Sequence, residues 1–190
     1  MNPREHSAAT LASGLAGEVI RTFGGIRLRV FGTSMVPAIL PGDLISVQRA
    51  SVAEISRGEI VLYSRNGRMF VHRVVGCMQC PEGSRLIARG DRFLHNDPPI
   101  SSSELLGRVI SIERGNFQWR PAPCLSGWER MIVHFLRNSD QATYLYLRLA
   151  ALRAVGARFT VNAHRERHAV PLQGVANQCQ RSAGSAECQV

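Results

Sequence analysis

EIVLYSRNGRMFVHRVVG, residues 59–76, consists of two apolar runs joined by Asn66-Gly67. Asn-Gly between such runs is the strongest short-range signal of a β-hairpin, because both residues tolerate the left-handed backbone of a tight turn. The pattern repeats on either side of this hairpin. In IRLRVF (26–31), Ile26, Leu28 and Val30 alternate with Arg27, Arg29 and Phe31, which is the period of a half-buried strand. LISVQ (44–48), SRLIARG (84–90) and GRVISIERG (107–115) read as further strands. In the last of these, simple alternation sets Val109 and Ser111 against Ile110 and Ile112. Six short strands joined by short turns predict a mostly-β fold, a small antiparallel β-domain.

The flanks differ from this body. Residues 7–23 have helical content, with Leu11, Leu15, Val19 and Phe23 recurring along one side and Gly24-Gly25 as a stop. After Pro121-Ala122-Pro123 the composition becomes helical again over 128–159, with a break predicted at Asn138-Ser139-Asp140. Its second part carries Tyr144, Leu145, Leu149 and Leu152 near one face and Arg148, Arg153 and Arg158 elsewhere. Such a basic amphipathic helix suits either a membrane surface or packing on protein. Residues 160–190 are polar and read as a disordered tail. The expected organisation is an N-terminal helical segment (1–25), a β-domain (26–120), a helical segment (121–160) and a tail (161–190).

The chain has 190 residues and is 45% hydrophobic, enough for one domain with a real core. Its net charge is +9, and all 23 basic residues are arginine. The arginines are scattered and form no run, so nucleic acid is not the expected partner. The five cysteines are an odd number in a chain too large to need disulfides. Cys77-Met-Gln-Cys80 lacks the second knuckle of a zinc site and runs into the turn-like Pro81-Glu82-Gly83-Ser84, so it reads as a loop CxxC. No stretch reaches the length of a membrane span, and no apolar run marks a signal peptide. The expected location is the cytoplasm or a membrane periphery.

Three stretches carry chemistry in combination: GTSMVPAILPGD (32–43), VHRVVG (71–76) and RGDRFLHNDPP (89–99). A serine hydroxyl is inert near neutral pH and needs a base, and histidine as a residue type titrates in that range. The imidazole in turn needs a carboxylate to fix its tautomer and stabilise its cation. Ser34, His72 and either Asp91 or Asp97 supply these parts. Arg73 follows His72 in the strand and so faces the other way.

These motifs, in this order and together with GEIVLY (58–63), resemble the signal peptidase I superfamily. That is the S24/S26 peptidase-like clan which also holds the LexA-type self-cleaving repressors. The His-Arg pair resembles the archaeal and endoplasmic-reticulum Ser-His type. The Ser/Lys dyad of the other members is impossible here, because the chain contains no lysine. The resemblance covers roughly residues 26–113. It implies a signal-peptidase/LexA-like β-domain with terminal helices, and a serine endopeptidase that cleaves a precursor or signal peptide without metal or cofactor. Carried over residue by residue, it makes Ser34 the nucleophile, His72 the base, Asp97 the orienting acid and Asp91 a supporting residue. It also places Met35 and Val36 near the substrate cleft, and it implies a polypeptide partner. Gly32 stands where some members carry a serine oxyanion donor. Two other readings stay open: a soluble self-processing or regulatory protease, and a non-catalytic relative that grips a peptide by strand addition.

Overall fold

The computed structural model describes residues 3–81, 83–137, 139 and 141–150. The hairpin at 59–76 forms as its turn dictates. Strands β3 (Ile60–Arg65) and β4 (Arg68–Cys80) pair antiparallel across Asn66 (φ 51°) and Gly67 (φ 70°), with Val61 opposite His72 and Tyr63 opposite Phe70. Around them run β1 (Gly25–Arg29), β2 (Leu44–Gln48), β5 (Gly83–Arg89), β6 (Leu105–Arg114) and β7 (Phe117–Trp119). The sheet order is β1-β2-β6-β3-β4-β5, with β7 paired to β6 and every pairing antiparallel. The six strands expected from alternation are all present. The seventh, β7, is a three-residue return after the Gly115 turn, too short to show a period.

Strand β3 is buried on both faces, and this divides the core. Ile60 and Leu62 join one cluster with Ile20, Met35, Ile45, Val109 and Ile112. Val61 and Tyr63 join another with Val74, Leu86, Ala88 and Ile100. His72, paired with Val61, belongs to the second face.

Three expectations are corrected here. Simple alternation sets Val109 and Ile112 on opposite faces, yet both lie in the first cluster while Ile110 is exposed. The pairing of β2 with β6 passes from Ser46↔Ser111 to Val47↔Val109, so Ile110 is the extra residue of a β-bulge and the alternation changes phase there. Next, Cys77 and Cys80 are not in a loop. They extend β4 opposite Leu86 and Gly83, beyond a second irregularity between Val74 and Gly76, and both are free thiols. Finally, helix α1 (Pro3–Phe23) does not use its leucine stripe for packing. Leu11, Leu15 and Phe23 are exposed, while Ala16 and Ile20 are buried. Gly17 lets the helix sit close: a Cβ there would lie 3.5 Å from Leu106 Cδ2.

Helix α2 (Gly127–Arg137) follows β7, and residues 141–150 are again helical. Residues 151–160 of the expected helical segment and the expected disordered tail lie outside the described residues. Among the described residues no helix is long and apolar enough to cross a membrane.

Candidate active site

Ser34 sits on the 33–39 turn between β1 and β2. The base of this segment is fastened by backbone bonds from Gly42 N–H to Val30 O (2.7 Å) and from Val30 N–H to Asp43 O (2.9 Å). Buried Asp43 accepts the Leu40 N–H at 2.8 Å and two bonds from Arg114 at 2.8 and 2.7 Å. Gly42, at φ +96°, takes the left-handed conformation this corner requires. The Gly42-Asp43 pair is thus a turn and an anchor together. On the other side, the Arg92 N–H donates to Ser34 O at 2.9 Å. A Cβ on Gly90 would lie 2.8 Å from that oxygen and 3.1 Å from Ser34 Cβ, so only glycine lets the two segments meet as they do.

His72 is 4% exposed. Phe93 meets its ring edge-to-face (6.1 Å between centroids, 88°), and Tyr63 and Phe70 flank it at 6.1 Å each. This collar leaves the two ring nitrogens with defined partners. Nε2 lies 3.0 Å from Ser34 Oγ, and Nδ1 lies 2.6 Å from Asp97 Oδ2. An ionised carboxylate can only accept, so the shared proton sits on Nδ1 and the lone pair of Nε2 faces the serine hydroxyl.

Asp97 is held in turn. Its N–H donates to Ala88 O at 2.8 Å. The carbonyls of Pro98 and Pro99 accept from Arg65 at 3.1 and 2.9 Å, and the same guanidinium pairs with Glu104 at 2.5 and 2.8 Å. Arg65, helped by the Ser101 N–H and hydroxyl, holds the Glu104 carboxyl down to about 2. The Tyr63 hydroxyl is 3.4 Å from His72 Nδ1. Burial pushes this phenol well above its ordinary value, and the charge of Asp97 and a hydrogen bond to it push the same way. Tyr63 therefore stays protonated and donates to the carboxylate.

Asp91 takes no part in this chain of bonds. It is buried on a bidentate pair with Arg73 at 2.8 and 2.8 Å, and Arg73 also donates to Gly58 O (3.0 Å) and Ala122 O (2.5 Å). Its support is structural and comes from the other side of β4. The expectation for Met35 and Val36 is corrected. They are 1% and 0% exposed, because the 33–39 turn points its apolar side chains into the core while Ser34 meets His72. The shallow cleft of about 360 Å³ beside Asp97 is lined instead by Phe93, Leu94, His95, Pro98 and Arg137.

Sequence reasoning passed over Tyr63, Phe93 and the Arg65–Glu104 pair. Tyr63 had a usable signal. A two-residue turn fixes the register, and counting back from it sets position 63 diagonal to position 72 on the same face. Phe93 and Glu104 lie in connections without periodicity and had none.

A family model described as Peptidase S24-like matches residues 16–110, half of the chain. The chain belongs to the Peptidase S24-like family. No curated protein matches it. The S24-like match runs from within α1 into β6 and contains Ser34, His72, Asp91 and Asp97, while β7 and α2 lie beyond it.

Proposed function

We propose that this S24-like domain is a serine endopeptidase that cleaves a precursor polypeptide through an acyl-enzyme, with Ser34 as nucleophile, His72 as base and Asp97 as orienting acid. The observation that carries the reading is the unbroken relay from Ser34 Oγ through His72 to Asp97, at 3.0 and 2.6 Å. Ser34 Oγ attacks the scissile carbonyl as His72 Nε2 takes its proton. The imidazolium that forms is stabilised by Asp97, which is itself fixed by Tyr63 and the Arg65-held loop. The Ser34 N–H makes no hydrogen bond within the described residues, so it is available to the oxyanion. His72 then gives its proton to the leaving amine, and water, deprotonated by the same nitrogen, releases the acyl group. Because the chain has no lysine, a Ser/Lys dyad is not an alternative route.

The test is co-expression of the wild type, Ser34→Ala and His72→Ala with secretory precursors in membranes, reading new N-termini by mass spectrometry. The reading expects termini after small residues with the wild type alone. Identical termini in all three would refute it.

A further inference from the structure

A second cleft, of about 690 Å³, opens between the end of β5, the turn before β3 and α2. Five arginines line it: Arg57, Arg73, Arg89, Arg130 and Arg137. The one carboxylate among its described lining residues, Asp91, is taken by Arg73. The other four arginines have no carboxylate partner among the described residues. Among the described residues the side chains of Arg89, Arg130 and Arg137 donate only to the carbonyls of Leu94, Leu125 and Phe93 (3.4, 3.1 and 3.4 Å), and that of Arg57 makes no hydrogen bond. Arg137 Nε is shut off from solvent and has no acceptor. Concentrating like charge around an apolar floor (Val74, Leu125 and Val133) opposes folding unless an anion comes to the site.

The spacing says which anion. Arg130 and Arg137 are seven residues apart on α2 and lie on one face, about 10 Å apart along the axis. No single phosphate group spans that distance. In an extended peptide, alternate side chains on one face repeat at about 7 Å, within reach of long guanidinium arms. Glutamate also has methylenes to lay on the apolar floor while its carboxylate takes a fork of two N–H donors. We propose that this cleft is a docking site for an acidic, extended stretch of a polypeptide, separate from the Ser34 centre and on the Arg73 side of the 89–97 loop.

The measurement is fluorescence anisotropy of a labelled decaglutamate peptide with the full chain carrying Ser34→Ala, so the result does not depend on the catalytic reading. Arg57→Ala/Arg130→Ala removes two exposed side chains, and urea unfolding checks that the variant folds. Binding is expected to weaken at least about tenfold. Arg27→Ala/Arg29→Ala, an equal charge change on β1, should leave it within about twofold. The exposed thiol of Cys124 lines the cleft and gives an independent readout, since the peptide should slow its alkylation. The proposal is overturned if the β1 pair weakens binding as much as the cleft pair, or if Cys124 is alkylated at the same rate with and without peptide. It is also overturned if an oligonucleotide of equal charge binds more tightly and protects Cys124, which would assign the cleft to nucleic acid.

Discussion

Replacing Asp97 by asparagine tests the relay at its most informative point. The substitution removes one negative charge 2.6 Å from His72 Nδ1 and almost no volume. In the proposed mechanism Ser34 loses its proton, His72 becomes a cation and the carboxylate stabilises it. With charge centres about 4 Å apart and an effective dielectric constant near 20, that attraction is about 4 kcal/mol. Lost from the transition state alone, this is about 10³ in rate. A tautomer effect adds to it. Protonated Tyr63 competes with Nδ1–H for the single oxygen of the substituted amide, and where the amide nitrogen faces Nδ1 the ring proton moves to Nε2. A donor then faces the Ser34 hydroxyl and no base remains. The assay is the initial rate on a precursor cleaved by the wild type, with urea unfolding as the fold control. The expected result is a fall in kcat of about 10³-fold or more with KM and the urea midpoint held. A rate within tenfold of the wild type would refute the reasoning. So would a larger catalytic loss in Asp91→Asn at undiminished stability.

Asp91→Asn should act on stability. It leaves the buried Arg73 guanidinium with carbonyls but no counter-charge, at a cost of about 3–5 kcal/mol, read as a lower urea midpoint. Gly90→Ala forces the 90–92 turn away from Ser34 O, and the displaced hydroxyl should lose about 10² in rate while thermal unfolding moves by only a few degrees. The Arg65–Glu104 pair gives a pH signature. The folded carboxyl is held at about 2, below its ordinary 4.5, so the stabilisation is complete above 4.5 and fades as pH falls towards 2. The shift corresponds to about 3 kcal/mol, and screening at a side chain one-quarter exposed reduces it to about 1–2 kcal/mol. Urea midpoints at pH 6 and pH 3 should fall less in Glu104→Gln than in the wild type.

The strands were legible because alternation and the Asn66-Gly67 turn agree, and because β-branched residues such as Ile45, Val47, Ile60, Val61, Val74 and Ile112 fill inward positions. The exceptions have local causes. In GRVISIERG Val109 and Ile110 are adjacent apolar residues that fit either phase of the period, and only the partner strand reveals that Ile110 is extra. In α1 the apolar spacing was read from large side chains, whereas the helix packs through Ala16, Gly17 and Ile20. Close approach to a sheet rewards small residues, and a hydrophobicity pattern gives these little weight.

The site shows the same division between what a period reveals and what it hides. Adjacent residues of β4 face opposite ways, so His72 and Arg73 had to take different partners. One connection, 90–99, supplies both, and nothing in its composition ranks Asp91 against Asp97. The register separates them. Arg73 pairs across strands with Arg89, and Asp91, two residues on, continues on that face. Asp97 lies past the turn whose Phe93 crosses over the imidazole and whose Arg92 holds Ser34 O. The loop thus wraps the middle of β4, clamping Arg73 from one side and His72 from the other. Its backbone also fixes Ser34, so loosening any one of the three contacts should disturb the relay. For that reason the two aspartates are distinguished by what fails first. Loss of Asp97 should stop the chemistry in a folded protein, whereas loss of Asp91 should stop it by unfastening the loop.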